Sequence, residues 1–497
     1  MSAETRSLLS SWRGRRVLIV LCTVAFMDFV DASITNVALP HIRAALGFSQ
    51  QTLQWVPSGY LLTYGGLMLL GGRLADLFGR RRVMLTGTAL VGVASLAGGL
   101  AQSSEVFVGA RLLQGAGAAM MLPAALSLLT TTFTNNVDRN RALGAWAGVA
   151  GLSSAVGILL GGVLVQGPGW RWVMFVNPIW CVLIAPAVLN TFKDDRPSAA
   201  KRNFDLLGSL LGTAGMLLLV FALVKAPNQG WGATATVLEL TGASALLIAF
   251  LLVERVRSNP LIPHGTLGRA VVAANLTGLL GFAGMLSLFF FLTLYMQTVL
   301  GYSPLAAGAA YLPLTFAVGL FAGVGAKLVI KFGSRPVTAV GALIAAGALA
   351  LLHHAPVHGH YVTTILPGTL LFAAGMGPVF VGVTGAANAG ATADRAGIVA
   401  ALMNAAQQVG GALGLAVLSA LATSRADHLI ATGHEMNAAA TAGYDRALLA
   451  AAAFLVLAAL VALATTNTRE NPMEATHLGT VDLETGSIEH ATAAEPA

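Results

Sequence analysis

The chain has 497 residues, 56% of them hydrophobic and 10% charged, with a mean hydropathy of +0.76. A soluble protein of that size needs far more polar surface, so a soluble enzyme or binding module is excluded and a polytopic membrane protein is expected. The net charge of +7 invites a nucleic-acid reading, but most of the Lys and Arg fall in loops that positive-inside sorting places in the cytoplasm, so no nucleic-acid partner is expected.

Residues 1–16 form a short basic lead with Arg13, Arg15 and Arg16, expected on the cytoplasmic side. Fourteen apolar runs of spanning length follow, at 17–39, 52–72, 83–101, 105–132, 142–165, 172–191, 206–226, 234–253, 271–298, 305–326, 337–353, 361–387, 396–422 and 444–466. The first is too long for a secretory signal core and lacks a small-residue cleavage site, so it is expected to stay as an anchor. It carries two carboxylates, Asp28 and Asp31, three residues apart and therefore on one helix face. An Asp at the bilayer centre costs about 2.5–3.5 kcal/mol on insertion scales, so such a residue faces protein or a wet cavity, where it can take up and release a proton. Residues 40–51 are expected to form an outer loop.

The second run leads into Gly71-Gly-Arg-Leu-Ala-Asp-Leu-Phe-Gly-Arg-Arg-Arg82. Gly72 would let a helix end approach its neighbour, Asp76 and Arg80 are four apart, and Gly79 suits a left-handed cap. The plain reading is a basic loop held against anionic lipid. An acid embedded between glycines in that loop argues instead for a specific cytoplasmic latch. In the fourth run Arg111 lies several residues inside the apolar stretch and cannot shed its charge, so it needs a partner or must snorkel; Asp31 is the natural partner if the two helices meet.

Lys225 and Glu239 lie near run ends, where snorkelling is expected. Cys22 and Cys181 both lie within runs and read as small apolar residues, with no disulfide expected. His353, His354, His358 and His360 cluster in a short outer loop without acidic companions, so a solvated loop is preferred to a metal site. Residues 467–497 read as a disordered cytoplasmic tail. No Walker motif, HExxH or nucleophile elbow is present, so neither an enzyme nor a cofactor is expected. No repeated filter element suggests a channel.

An internal repeat organises the runs. Leu46-Gly-Phe-Ser49 recurs as Leu300-Gly-Tyr-Ser303, Phe78-Gly79 as Phe332-Gly333, Arg141-Ala142 as Arg395-Ala396 and Gly157 as Gly411, every pair 254 residues apart. Six runs are thus duplicated, and two, 206–226 and 234–253, stand between the copies. At the same offset Asp28 meets Phe282, Asp31 meets Met285, Asp76 meets Ile330 and Arg111 meets Ile365, so the ionisable chemistry belongs to the first copy. The second offers the Phe289–Phe291 run, read equally well as packing, and scattered polar groups, Tyr295, Gln297, Tyr311, Asn404, Gln407 and Gln408, as possible cavity lining.

Gly72-x-Leu74-Ala-Asp76-x-x-Gly79-Arg80-Arg81 resembles the signature loop of the major facilitator superfamily. Asp31-x-x-Ile-Thr-Asn-Val-Ala-Leu-Pro40 is similar to the first-helix motif of its fourteen-helix drug:proton antiporter branch. Arg111-Leu-Leu-Gln114-Gly-Ala-Gly117 resembles the fourth-helix motif, whose Arg the family implicates in proton coupling. Gly157-Ile-Leu-Leu-Gly161-Gly162, with Trp170-Arg-Trp172 and Asn177 beyond it, is similar to the fifth-helix antiporter motif, with Ile158 where the family usually has Pro. Leu300-Gly-Tyr-Ser-Pro304 with Ala307-Gly308, and Asn404-x-x-Gln-Gln-Val-Gly-Gly-Ala-Leu-Gly414, also resemble this branch, with Gln407 where Arg is frequent.

The resemblance implies an all-α major facilitator fold: a lead (1–16), a six-helix half (17–200), two extra helices with linkers (201–260), a second six-helix half (261–466) and a tail (467–497). It implies a secondary transporter of the cytoplasmic membrane with both termini in the cytoplasm, exporting drugs, antibiotics or amphipathic metabolites in exchange for protons. A proton-coupled importer of a small nutrient is the alternative. Asp31, Asp28, Arg111 and Gln114 are then the coupling and substrate residues, and Gly72, Asp76, Gly79, Arg80 and Arg81 the latch. Partners are the substrate, protons and membrane lipid, around a monomer. With no buried acid expected in the second half, lipophilic monocations, neutral drugs or secondary metabolites are favoured over dications.

Overall fold

The computed structural model describes residues 8–193, 206–230, 232–257, 268–389 and 396–469. The first seven residues, most of the predicted tail, the linker stretches 194–205 and 258–267, and Arg395 of the repeat lie outside the described residues. Within them the chain is all-helical, and eleven helices are long and apolar enough to cross a membrane. Of the predicted runs, 52–72, 142–165 and 206–226 fall on helices outside those eleven.

The helices are α1 (Trp12–Leu46), the short α2 (Gln50–Leu53), α3 (Trp55–Phe78), α4 (Arg80–Gly99), α5 (Ser104–Thr132), α6 (Asn136–Gln166) and α7 (Arg171–Thr191). Then come α8 (Leu206–Gln229), α9 (Thr234–Val256), α10 (Arg269–Leu294), α11 (Pro304–Ala310), α12 (Leu312–Phe332), α13 (Ser334–Leu352), α14 (Leu366–Asn388), α15 (Ala396–Ala431) and α16 (Met436–Ala462). A π-turn extends α10 over Tyr295–Val299, and another precedes α14 over Tyr361–Ile365.

Two expectations at the first helix are corrected. The basic lead is partly helical: Ser11 caps α1 by accepting from the Gly14 amide, so the helix starts at Trp12. The predicted outer loop is helical as far as Leu46, running through Pro40 and ending on Gly47 at φ 68°, whose amide bonds to the Arg43 carbonyl. With 35 residues α1 is about 50 Å long, well over the ~30 Å apolar thickness of a bilayer, so its ends stand clear of it.

The 254-residue repeat is visible in the backbone. Gly47 (φ 68°) matches Gly301 (φ 69°), and Gly79 (φ 96°) matches Gly333 (φ 89°). Ser49 and Ser303 are both N-caps that accept from an amide three residues on, Thr52 and Ala306. Helices α1 and α3–α7 pack on one another, as do α10 and α12–α16. The α8–α9 hairpin lies against α3 and α15.

The two groups meet chiefly along α3–α15 and α6–α11. Gln297 Nε2 donates to the Val37 carbonyl at 2.9 Å. A Cβ on Gly162 would sit 2.6 Å from Leu305 Cα, and one on Gly308 2.9 Å from the Ile158 carbonyl oxygen. The Gln297, Gly162 and Gly308 contacts lie toward the end of the bundle marked by Gly47, opposite the end marked by Gly79, while the α3–α15 seam reaches mid-helix, where a Cβ on Gly65 would sit 2.8 Å from Gln408 Cβ.

Candidate functional site

Five helices of the first group bring polar side chains to one buried point. Asp28 and Asp31 come from α1, Tyr60 from α3, Ser95 from α4, Arg111 and Gln114 from α5, and Asn177 from α7. All are 5% exposed or less. Interior polar groups at such burial need partners, and here they form a connected set.

Arg111 Nη1 donates to Asp31 Oδ2 at 2.7 Å and to Gln114 Oε1 at 2.8 Å, while its Nε donates to the Val56 carbonyl at 3.1 Å. Its guanidinium stacks over the Tyr60 ring, 4.6 Å from the centroid. The other Asp31 oxygen accepts from Gln114 Nε2 at 3.2 Å and from Asn177 Nδ2. Ser95 Oγ accepts from both amides, at 2.5 Å from Gln114 and 3.1 Å from Asn177. The sequence-predicted Asp31–Arg111 contact is therefore present, and Arg111, at 2% exposure, does not snorkel.

Asp28 is held differently. Among the described residues it accepts one hydrogen bond, from Tyr60 Oη at 2.6 Å, and has no cation of its own. The cluster thus holds two carboxylates against one guanidinium. With both acids ionised it carries an uncompensated negative charge, and leaving such a charge buried is costly. A proton or a ligand cation removes that cost.

Tyr60, Ser95 and the Val56 carbonyl carried no sequence signal: a Tyr, a Ser and a backbone oxygen in apolar runs are commonplace. Asn177 stood within the resemblance but had no role attached. Its place as the one amide away from the ends of the 172–191 run would have been the clue.

The loop expected to act as a latch is a surface feature. Arg80 Nη2 lies 3.9 Å from Asp76 Oδ1, with both side chains partly exposed, and Arg80 Nη1 donates to Thr131 Oγ1 at 3.1 Å. Arg81 Nη2 donates to the Leu189 carbonyl at 3.3 Å, tying the loop to α7. The close approach expected at Gly72 occurs one residue earlier. A Cβ on Gly71 would overlap the Ala119 carbonyl, whereas one on Gly72 would meet only Pro123, at 3.8 Å. Gly79 has positive φ, with an extended ψ of 132° rather than the αL value expected.

On α6, Gly157 packs on Val30 and Ser33, Gly161 on Ile34 and Val37, and Gly162 on Leu305. The glycine stripe therefore joins α6 to the face of α1 that carries Val30, Ser33, Ile34 and Val37, and to α11. With Ile158 in place of Pro, α6 runs unbroken from Asn136 to Gln166.

In the second group the predicted lining divides. Tyr295 and Tyr311, 4% and 2% exposed, are packing residues rather than cavity wall. Their hydroxyls are taken by the Pro356 carbonyl, and by Thr293 and the Phe289 carbonyl. Phe290 and Phe291 are likewise core. Gln297 bridges to α1, Gln407 borders a void of about 10 Å³ beside Gly278 and Met376, and Asn404 is half-buried. Lys225 and Glu239, expected to snorkel, pair at 2.9 Å, because α8 and α9 form an antiparallel hairpin that sets one helix end beside the other's start. Cys181 Sγ lies 3.7 Å from Met27 Sδ, and both cysteines are free. Among the described residues no three His, Cys, Asp or Glu are grouped as metal ligands.

Comparison with known proteins places this geometry in a family. The chain is 38% identical over 465 residues to the puromycin resistance protein pur8 of Streptomyces alboniger, covering 91% of this chain and 90% of that one. It is 40% identical over 410 residues to the cephamycin export protein CmcT of Amycolatopsis lactamdurans, covering 81% and 83%. The POT family transporter PepTSo superposes with a TM-score of 0.68 at 15% identity, covering 93% of this chain and 99% of that one, which shows the shared fold. The Major Facilitator Superfamily model matches residues 21–415. With its apolar helices, its buried Asp31–Arg111 pair and this match over most of its length, the chain is a multi-pass membrane protein that belongs to the Major Facilitator Superfamily.

Proposed function

We propose that the protein exports small amphipathic compounds across the cytoplasmic membrane in exchange for protons, through fourteen spanning helices with both termini in the cytoplasm. The observation that carries the reading is the charge imbalance of the buried Asp28–Asp31–Arg111 cluster. Two acids and one arginine can hold a proton or a substrate cation with little cost, but cannot stay empty and ionised cheaply. A site with that property exchanges one cation for another.

In the cycle, Asp31 is protonated from the outside and its hold on Arg111 loosens. Gln114 and Asn177 keep the carboxyl in place through the change. Opening toward the cytoplasm lets the proton leave, and a new substrate enters beside Asp28 and Tyr60. Gln297, Asn404 and Gln407 supply polar contacts from the second half. The interdomain contacts toward the Gly47 end support assigning this structure to the inward-open stage. Asp76, Arg80 and Arg81, with Gly72 and Gly79, latch the cytoplasmic side when the outer side opens. Gly157, Gly161 and Gly162 are the sliding surface of α6 on α1 and α11. No nucleotide is required, and one chain contains the whole path, so a monomer suffices.

The relatives' names, resistance to puromycin and export of cephamycin, favour export over nutrient import. The test is a resistance and accumulation screen in an efflux-deficient host, with and without an uncoupler. Export predicts that the uncoupler raises internal drug in expressing cells and leaves non-expressing cells unchanged. Uncoupler-insensitive resistance, or an Asp31→Asn variant that still extrudes against a gradient, overturns the proton role.

A further inference from the structure

At the Gly79 end, three helix termini enclose a cleft of about 610 Å³. Arg13 and Arg16 reach it from the start of α1, Arg81 from the start of α4, and Lys193 from just beyond α7. Its described lining contains no acid, and Trp12, 70% exposed, and Leu189, 48% exposed, flank it. We infer that this cleft binds the phosphate headgroup of an anionic membrane phospholipid.

Arg13, Arg16 and Lys193 bring like charges around one opening, a repulsion that an anion between them relieves, and a phosphodiester offers oxygens in several directions at once. The cleft sits where α1 and α7 leave their buried segments: Val17 and Val188 are core residues one turn inside it. That is the headgroup level of a spanning bundle, where an exposed Trp is also at home. A lipid can therefore place its phosphate among the arginines and its chains along the helices, which a free phosphate cannot do.

The shared fold does not demand this cluster. At the 254-residue offset Arg81 corresponds to Arg335, which makes the same kind of tie, Nε to the Thr465 carbonyl at 3.0 Å. Arg13 and Arg16, however, correspond to Leu267 and Ala270. The tie from α4 or α13 to a closing carbonyl is common to both halves; the cations at positions 13 and 16 are not repeated in the second.

The inference needs the membrane-spanning fold but not proton antiport, so either can fail without the other. The test is an anisotropy titration of the purified full chain in detergent with tail-labelled fluorescent phosphatidylglycerol, against phosphatidylcholine with the same label. The triple variant Arg13→Gln/Arg16→Gln/Lys193→Gln is compared with Lys327→Gln/Lys331→Gln/Arg255→Gln, which removes equal charge elsewhere. At about fivefold per cation, the triple variant should bind phosphatidylglycerol on the order of 100-fold more weakly, with the control within about twofold of wild type. The single variants Arg13→Gln and Arg16→Gln, each expected to weaken binding about fivefold, keep the test open if the triple variant does not purify. Equal binding of the two lipids by wild type, or equal losses in the triple and control variants, overturns the site. Displacement of the lipid by millimolar inorganic phosphate overturns the lipid assignment in favour of a free oxyanion.

Discussion

Replacing Asp31 by Asn tests the buried pair in a way that no surface ion pair could imitate. The variant leaves the Arg111 guanidinium at 2% exposure without its carboxylate, with Val56 O, Gln114 Oε1 and the new amide's own oxygen as neutral acceptors. Removing one partner of a buried pair costs about 3–5 kcal/mol, and the three remaining carbonyl acceptors place Asp31→Asn near the lower figure, about 3 kcal/mol. Arg111→Gln should cost less, about 1–2 kcal/mol, because a stranded carboxylate can neutralise itself by taking a proton whereas a guanidinium cannot. The double variant Asp31→Asn/Arg111→Gln buries no unpaired member of the pair and should be more stable than Asp31→Asn alone. The assay is equilibrium SDS unfolding of the purified proteins followed by tryptophan fluorescence. Losses that add to within about 0.5 kcal/mol, or Arg111→Gln costing more than Asp31→Asn, would refute the pairing energetics.

Asp28→Asn should change unfolding stability by less than about 1 kcal/mol, since the Asn carbonyl can still accept from Tyr60 Oη, while abolishing preference for cationic over neutral substrates in the efflux assay. Gly71→Val should lower the yield of folded protein sharply, at a cost of at least ~1–3 kcal/mol from overlap with the Ala119 carbonyl; Gly109→Ala, with open space around it, should be neutral. Gln297→Ala removes the 2.9 Å bond to Val37 and should move the population toward the form open at the Gly47 end by about 2- to 12-fold, read by spin-label distances between α1 and α10. Lys225→Met should cost no more than about 1 kcal/mol, the pair with Glu239 being partly exposed.

Much of the architecture was legible because membrane spans announce themselves by length and apolarity, and because the repeat is ungapped at Gly47/Gly301 and Gly79/Gly333, where positive φ restricts the residue type. The charged core of the site was legible for the same reason: Asp28, Asp31 and Arg111 are expensive where they stand. The rest needed three dimensions. Tyr60, Ser95 and Asn177 are ordinary in isolation and matter only because α1, α3, α4, α5 and α7 converge. Tyr295 and Tyr311 looked like cavity wall because helix faces cannot be ordered without knowing their neighbours, and the structure turns both inward. The outer loop expected at 40–51 starts instead as a continuation of α1, since a proline near a helix end forfeits a single bond and the flanking residues keep theirs.

The central claim is that the surplus acid in the cluster exchanges a proton for substrate. Its most direct measurement is proton release when the compound showing the largest uncoupler-sensitive export is added to purified protein in weakly buffered solution. Wild type should release about one proton for each cation bound by the imbalanced pair of acids, and the Asp28→Asn/Asp31→Asn variant should release none. Saturable binding of that compound with no proton released by wild type, or undiminished release from the double variant, would contradict the account.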